Sequence, residues 1–330
     1  MSKPTYIIKR SEIESIFNME DYVSTVENAF KLYGEGKVQM PSKVYIYFDK
    51  GDLRCMPVYI PSLNIAGVKN VNVHPQNRDL PAVMATITLF DPENGFPLAI
   101  MDGTHITKMR TGAAGGVAAK FLSRKDSKTA AFIGTGEQAK TQLQALLITR
   151  PEISEAVLYD INGKSAGLFA KYIMKEHKLK VRIEDSVAKA AAAADIVVTT
   201  TPVRNPVVMK EHIRKGTHIN AIGADAQGKQ ELDPQILKNA VVVIDNWEQA
   251  SHSGEINVGL SKGIIKKKHI YGDIGEIATG KKPGRKSADQ VTVFDSTGLA
   301  IQDISSAVEI YKRLINDKKI RTKLTSINIV

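Results

Sequence analysis

Residues 128–300 alternate short apolar, β-branched runs with longer segments of helical character, and this alternation constrains the fold more than any other feature of the sequence. The segment after the first run, EQAKTQLQALLIT, has apolar residues at helical spacing. Unbroken apolar strands that alternate with helices form a parallel sheet covered on both faces, with right-handed crossovers. We therefore predict a doubly wound α/β domain. Its predicted strands are 129–133, 156–159, 181–183, 196–200, 218–222, 241–244 and 291–294.

Residues 1 to about 110 follow another pattern. The runs 43–48, 53–60, 65–73 and 81–90 alternate apolar and polar residues between turn sequences, which predicts a mostly antiparallel sheet. One helix, 11–34, is predicted before the sheet and a small-residue helix, 109–122, after it. A last helix with an apolar stripe from Ile301 to Ile315 is expected to return to this sheet. The predicted domains are 1–120 with 302–330, an α+β domain, and 121–301, the doubly wound domain.

Composition excludes several classes of protein. With 43% hydrophobic and 24% charged residues among 330, the chain is globular, and its length fits two domains. The single cysteine, Cys55, can form neither an intramolecular disulfide nor a cysteine zinc cluster, so a reducing cytoplasm is expected. The N-terminus lacks the apolar core of a signal peptide, and no stretch has the ~20 apolar residues of a membrane span.

Nucleic acid and metal ions are not expected partners. The 45 basic residues exceed the 35 acidic ones, which gives a net charge of +10. The basic clusters lack interleaved aromatic residues and any nucleic-acid recognition motif, so they are interpreted as solvated surface. His74 and His105 do not have the spacing of a metal-ligand set.

A glycine-rich turn follows the first predicted strand of the doubly wound domain. The sequence GTGEQA, from Gly134 to Ala139, is a G-x-G-x-x-A fingerprint between a strand and a helix. Gly134 permits the tight turn, Gly136 lets the backbone approach a pyrophosphate, and Ala139 allows close packing of helix on sheet. The free N–H groups at the helix N-terminus favour phosphate. The motif predicts a Rossmann-type dinucleotide site.

Asp160 indicates which dinucleotide binds. It lies 26 residues after Gly134, at the end of the next strand. A carboxylate at this position accepts hydrogen bonds from the adenine-ribose hydroxyls and repels a 2′-phosphate. The following residues, Ile161 to Gly163, offer no arginine for that phosphate. NAD is therefore predicted over NADP, although Lys164 leaves dual use open.

Cations in the apolar N-terminal sheet are the other unusual feature. They are Lys43, Arg54 and Lys69, and Arg110 follows on the small-residue helix. Buried cations require partners or a ligand, whereas any one of these could also be an exposed strand residue. Asp225, after the fifth strand, is interpreted as the opposing carboxylate. Together the set would suit a zwitterionic substrate, with Asp225 receiving the ammonium group or its proton.

Several phrases resemble the ornithine cyclodeaminase/mu-crystallin family over essentially the whole chain. They are VKNVNVHPQN, PLAIMDGTHITKMRTGAAGGVAAKFLSRKDSK, FIGTGEQAKTQ, HINAIGADAQGKQELD and VFDSTGLAIQD, and archaeal alanine dehydrogenases are the most similar group. The resemblance implies a Rossmann domain, a discontinuous substrate-binding and dimerisation domain, and a homodimer. It also implies that Lys69 is the catalytic acid/base and that Arg110 binds near cofactor and substrate. The implied dinucleotide contacts are Arg110, Thr111, Gln138, Ala139, Asp160, Asn162, Ala221, Ile222, Gly223, Lys229 and Ser296.

The resemblance leaves three functions open. In a dehydrogenase, hydride leaves the α-carbon of L-alanine for NAD, and water converts the imine to pyruvate and ammonia. In an ornithine cyclodeaminase, the δ-amine attacks the imine, and the hydride returns to give proline. Cyclodeaminases usually have arginine at the position of Lys43, so this residue favours the dehydrogenase. The third reading is a nucleotide- or ligand-binding member without efficient turnover, which the presence of Lys69, Arg110 and Asp225 argues against.

Overall fold

A computed structural model of the chain describes residues 3–329 and divides into two compact units. The first unit is Met1–Arg110 with Leu299–Val330, and the second is Thr111–Gly298. The strands are β1 (Thr5–Ile8), β2 (Val44–Phe48), β3 (Gly51–Ile60), β4 (Ile65–Val73), β5 (Val83–Phe90), β6 (Pro97–Asp102), β7 (Thr129–Ile133), β8 (Glu155–Tyr159), β9 (Lys180–Ile183), β10 (Ile196–Thr199), β11 (His218–Ala221), β12 (Val241–Ile244), β13 (Ile270–Asp273), β14 (Thr292–Asp295) and β15 (Thr325–Ile327). The helices are α1 (Arg10–Glu14), α2 (Met19–Gly34), α3 (Gly103–Leu122), α4 (Glu137–Thr149), α5 (Gly163–Glu176), α6 (Val187–Ala192), α7 (Pro234–Asn239), α8 (Trp247–Ser253), α9 (Ile256–Ser261), α10 (Ile274–Ala278), α11 (Ala300–Asn316) and α12 (Lys318–Arg321).

The division between the units lies earlier on α3 than the expected boundary at residue 120. Helix α3 runs without a break through Arg110 and Thr111, so the boundary falls inside a helix, where the sequence offers no punctuation. The second boundary falls at Gly298, which has a φ of +80° and lies between β14 and α11. The expected boundary there was after residue 301.

The second unit is the predicted doubly wound sheet, which is confirmed. Its eight strands are all parallel, in the order β13-β12-β14-β11-β10-β7-β8-β9. The order reverses between β7 and β10, which is the point where such sheets bind ligands. Two apolar clusters contain the inward side chains of strands and helices in this unit. The edge strand β13 was not predicted, because its sequence IYGD is short and its residues are only half-buried.

The first unit contains a seven-stranded sheet in the order β15-β1-β6-β5-β4-β3-β2. Strands β2 to β6 are antiparallel neighbours, β1 is parallel to β6, and β15 pairs antiparallel with β1. Strands β1 and β6 were not predicted. The prediction of a single helix over 11–34 was wrong, because Asn18 starts a new helix by accepting the Asp21 N–H at 3.0 Å.

Helix α11 packs on α2 and on strands β3 to β5 of the first unit. In its predicted apolar stripe, Ile301, Ile304, Val308 and Leu314 are buried, whereas Tyr311 and Ile315 are half-buried. Gly67 on β4 permits this close approach, since a Cβ there would lie 2.8 Å from Cδ1 of Ile304. The same packing brings Gln302 and Asp303, in the first turn of α11, against the buried face of the sheet.

Within residues 3–329, no helix has the length and apolar character needed to cross a membrane.

Candidate active site

The glycine-rich turn of the second unit lies at the switch point between β7 and β10. Gly134 has a φ of +89°, and a Cβ there would lie 2.9 Å from the Thr201 methyl group, so only glycine fits this turn. Gly136 is the N-cap of α4, and nothing lies within 4 Å of the place a Cβ would take. Ala139 is buried in the core under the helix. The turn therefore leaves room for a ligand at a helix N-terminus, beside Gln138 in the first turn of α4.

Asp160 follows β8 and is bound to the same turn. Its Oδ2 accepts the backbone N–H and the hydroxyl of Thr135, both at 2.8 Å, and its Oδ1 accepts the Asn162 N–H at 2.8 Å. Asn162 in turn caps α5 by accepting the Lys164 N–H at 3.1 Å. The carboxylate is only half-buried, so lone pairs remain for a ligand hydroxyl.

The residues that follow β11 and β14 lie at the same carboxyl edge of the sheet as the glycine-rich turn. Gly223 follows Ala221 and Ile222, and a Cβ on it would lie 2.2 Å from the Thr201 carbonyl oxygen. Ser296 is buried, and its hydroxyl has no hydrogen-bond partner among the residues that the structure describes. An orphaned hydroxyl near the carboxyl ends of parallel strands, together with the open space at Gly136, fits a dinucleotide.

Asp225 and Lys229 are brought together in the loop after β11. The Lys229 ammonium group donates to Oδ1 of Asp225 at 2.6 Å, and both side chains are partly exposed. The structure thus gives Asp225 a cationic partner from its own loop. Thr111, the first residue of the second unit, has its carbonyl bound by the Gln142 side chain at 2.9 Å.

The first unit contains a buried cluster of opposite charges. Lys69 on β4 and Asp303 on α11 are both 0% exposed, and Nζ of Lys69 donates to Oδ2 of Asp303 at 2.6 Å. Arg110 on α3 donates from Nε to Oδ1 of the same carboxylate at 2.9 Å. It also donates from a terminal nitrogen to Oε1 of Gln302 at 3.0 Å. One carboxylate therefore holds two of the predicted cations.

The charge state of Lys69 is perturbed by this environment. Burial, the neighbouring Arg110 and, more weakly, Lys43 lower the pKa of Lys69 to about 7, although Asp303 acts in the opposite direction. The amine can therefore gain and lose a proton near neutral pH, as a general acid or base must. The predicted catalytic position of Lys69 thus combines burial, a fixed partner and a suitable pKa.

Lys43 and Arg54 lie differently. Arg54 is buried on β3 and donates to Oδ1 and Oδ2 of Asp52 at 2.7 and 3.2 Å, with its guanidinium 5.5 Å from the Tyr45 ring centre. Arg54 is thus held in a bidentate ion pair. Lys43 is half-exposed just before β2, and its positive charge makes a minor contribution to the lowered pKa of Lys69.

Asp303 and Gln302 were not among the site residues predicted from the sequence. Asp303 lies 234 residues from Lys69 along the chain, so no local pattern connects them. Gln302 accepts from Arg110 and from the Leu299 N–H, while its buried Nε2 has no partner among the described residues. The sequence does contain one indication, the QD pair in VFDSTGLAIQD. An acidic residue on the apolar stripe of a helix becomes buried and then needs a cation as its partner.

The described residues contain no cluster of three or more histidine, cysteine, aspartate or glutamate side chains that could hold a metal ion. His105, one of the two histidines considered, is buried, and its Nδ1 lies 3.3 Å from Oε1 of Glu14. Burial lowers the pKa of His105, although the nearby Glu14 acts in the opposite direction.

A doubly wound parallel sheet with a glycine-rich turn at its switch point is the architecture of the dinucleotide-binding α/β class. Within that class, residues 3–318 match the model of the ornithine cyclodeaminase/mu-crystallin family, and the chain belongs to this family.

Relatives within the family are similar over nearly the whole chain. The alanine dehydrogenase of Archaeoglobus fulgidus is 49% identical over 97% of this chain and 98% of its own. Among solved structures, an archaeal alanine dehydrogenase dimer with bound NAD is 47% identical, with a TM-score of 0.94 over 99% of this chain and 100% of that one. The Thermococcus litoralis Δ1-pyrroline-2-carboxylate reductase, in complex with NADH and L-proline, is 38% identical, with a TM-score of 0.92 over 94% and 98% of the two chains.

Proposed function

We propose that this protein is an NAD-dependent L-alanine dehydrogenase, which converts L-alanine, NAD and water reversibly to pyruvate, ammonia and NADH. The 49% identity to the alanine dehydrogenase of Archaeoglobus fulgidus, over 97% of the chain, carries the proposal. The Lys69–Asp303–Arg110 cluster supports it, because a buried lysine with a pKa of about 7 is a group suited to proton transfer.

The cofactor part of the proposal assigns NAD to the second unit. The turn from Gly134 to Gly136 and the N-terminus of α4 would hold the pyrophosphate, and Asp160 the adenine ribose. The turn after β11 and the Ser296 hydroxyl would bind the nicotinamide side. When bound, NAD supplies the acceptor for the hydride of the substrate α-carbon.

The proposed work of the first unit is proton transfer and carboxylate binding. An amine must be neutral before its α-carbon can lose hydride, and Lys69 takes that proton because its pKa of about 7 leaves the side chain partly neutral. Asp303 fixes the position of Nζ by a 2.6 Å hydrogen bond. Arg110 and Lys43 supply positive charge for the substrate carboxylate. We assign the first proton transfer to Lys69 rather than to Asp225, since Asp225 is already paired with Lys229.

The second half of the proposed reaction hydrolyses the imine. Water adds to the imine carbon, and Lys69, now protonated, returns a proton to the departing amine as pyruvate forms. The same residue thus acts first as base and then as acid.

Reduction of a cyclic imine is the second candidate function. The solved Δ1-pyrroline-2-carboxylate reductase is 38% identical at a TM-score of 0.92, and one from Bacillus cereus is 33% identical over 94% of this chain. A cyclic imino acid has a carboxylate and an imine nitrogen, so the Lys69 and Arg110 pair would suit it too. Cyclodeamination of L-ornithine is less favoured, because lysine stands at position 43.

Substrate assays separate these functions. The protein is incubated with NAD and L-alanine, L-proline or L-ornithine, and with NADH and pyruvate plus ammonia, while NADH absorbance and products are followed. We expect NADH to accumulate with L-alanine and pyruvate to appear in equal amount. Stronger turnover with L-proline would favour the reductase, and proline formed from ornithine without net NADH would favour the cyclodeaminase. Tight nucleotide binding with no turnover would contradict an enzymatic function.

We further propose a homodimer in a reducing cytoplasm. The outer face of the first unit's sheet carries exposed apolar side chains on β2, where Val44 and Ile46 are 57% and 48% exposed. Pro57, Tyr59 and Phe90 line an apolar cavity of about 370 Å³ on the same face. Exposed apolar patches of this kind mark association surfaces, and the archaeal alanine dehydrogenase was solved as a dimer. Light scattering of the purified protein tests this, and a monomer at micromolar concentration would refute it.

A further inference from the structure

We propose that Glu231, a buried carboxylate between the ends of β10 and β11, is a positioning residue that fixes the dinucleotide site of the second unit. The inference rests on the proposed function in one respect, that NAD binds at the turns around Gly134 and Gly223. Glu231 itself does not belong to these turns. It acts on them through its hydrogen bonds.

Both carboxylate oxygens of Glu231 are saturated with donors. Oε1 accepts the backbone N–H of Thr201 at 2.5 Å and its hydroxyl at 2.6 Å. Oε2 accepts the Thr199 hydroxyl at 2.6 Å and the Gly223 N–H at 2.8 Å. Glu231 is 0% exposed, and these four donors are neutral. Burial raises the pKa of Glu231, and the hydrogen bonds from Thr199, Thr201 and Gly223 act in the opposite direction. When so many donors converge on one buried carboxyl group, their geometry becomes rigid.

These bonds connect Glu231 to the glycine-rich turn. The hydroxyl of Thr200, between the two threonines that bind Glu231, donates to the Gly134 carbonyl at 3.0 Å. A Cβ on Gly223 would lie 2.6 Å from Cδ of Glu231, so the carboxyl group packs directly on that backbone. One side chain therefore fixes the spacing of three segments: the phosphate turn, the end of β10 and the end of β11.

Glu231 is itself held in place by further carboxylates. Its backbone N–H donates to both oxygens of Glu255, at 2.9 and 3.0 Å. The backbone N–H of Glu255 donates to Oδ1 of Asp295, at the end of β14, at 2.9 Å. A chain of buried carboxylates thus runs from β14 to β10, along the carboxyl edge of the sheet where ligands bind.

The variant Glu231→Gln removes the carboxylate and keeps nearly the same side-chain volume. In Glu231→Gln, the amide NH2 must replace one of two oxygens, and each of these accepts a backbone N–H, from Thr201 or from Gly223. Either orientation of the amide sets a donor against a donor. We expect the dissociation constant for NAD and the KM for NAD to rise by about tenfold or more, and the KM for L-alanine to change by less than about threefold.

Asp195→Asn provides the matched control. Asp195 precedes β10, so it lies at the other end of the strand that Glu231 binds. Its Oδ2 also accepts two backbone N–H groups, from Lys128 at 2.8 Å and Thr129 at 3.1 Å, while its Oδ1 accepts from Arg124 and Arg214, each at 2.6 Å. Because Asp195→Asn also weakens two ion pairs, we expect it to lower the melting temperature at least as much as Glu231→Gln, but to change NAD affinity by less than about twofold. A general loss of stability would affect both variants alike.

Direct titration of NAD, with melting temperatures and both KM values, decides the outcome. Failure of the wild-type protein to bind NAD would overturn the proposed function, and this inference with it. If the wild type binds NAD and Glu231→Gln binds it within twofold, only the inference fails, as it also does if Asp195→Asn loses as much affinity. Should Glu231→Gln not fold, Thr199→Val removes one donor to Oε2 with little change of shape. About a threefold weaker NAD binding is then expected, and unchanged binding overturns the inference.

Discussion

The two units of the molecule surround their functional carboxylates with different partners. In the first unit, Lys69 and Arg110 share the single buried carboxylate of Asp303, and Lys43 adds a third positive charge that reaches Lys69. In the second unit, the buried carboxylates of Glu231 and Asp245 bind backbone N–H groups and hydroxyls, and Asp195 combines such bonds with ion pairs to Arg124 and Arg214. Asp245, for example, accepts the N–H groups of Thr297 and Gly298 at 2.6 and 2.7 Å.

We interpret the cluster around Asp303 in the first unit as a site for chemistry, and the carboxylates of the second unit as structural supports. A cation excess around one carboxylate attracts an anionic ligand and perturbs a pKa. The unpartnered Nε2 of Gln302, judged among the described residues, adds a further donor to that cluster. Carboxylates that are saturated with backbone donors instead fix the loops at the strand ends, as Glu231 does.

Removing the perturbed lysine should abolish the chemistry. For Lys69→Ala we expect turnover to fall by about a thousandfold or more, since a general acid/base contributes up to about 10⁴-fold. NAD binding should change by less than about twofold, because Lys69 belongs to the first unit. Steady-state kinetics and NAD titration measure the two effects, with Lys125→Ala, an exposed lysine, as the control. Loss of NAD affinity together with normal residual turnover would contradict the division.

Removing the carboxylate that holds this lysine should shift the pH profile. Asp303 raises the pKa of Lys69, whereas burial and Arg110 lower it to about 7. In Asp303→Asn the pKa of Lys69 should fall further, so the acidic limb of kcat/KM should move from near pH 7 to lower pH. We also expect about a hundredfold lower kcat/KM, because the single amide oxygen can accept from only one of Lys69 and Arg110 and the cluster loses its fixed geometry. An acidic limb that stays in place would show that Lys69 is not the titrating group.

The second unit could be predicted in more detail than the first, and the reason is the range of the interactions. Strand, turn and helix in GTGEQA follow one another directly, so local sequence predicts the fold and the position of Gly134 and Gly136. The partner of Lys69 is 234 residues away, and only tertiary packing brings Asp303 to it. The burial of Glu231 could not be predicted for the same reason, since a glutamate in a polar loop carries no local pattern that indicates burial.

The smallest predicted effect concerns Asp160, a carboxylate of the second unit that is only half-buried and so open to a ligand. We expect the wild type to bind NAD about tenfold or more tightly than NADP, because Asp160 would face the 2′-phosphate. Ile161 is 96% exposed, so an arginine there disturbs no packing. Asp160→Ser combined with Ile161→Arg should reverse the preference toward NADP. The combined variant should also bind NAD more weakly, since Asp160 holds Thr135 and Asn162. Titration of both cofactors against the combined variant and Ile161→Arg alone separates the two contributions. Equal affinity of the wild type for NAD and NADP would mean that Asp160 serves the turn alone, as the saturated carboxylates serve theirs.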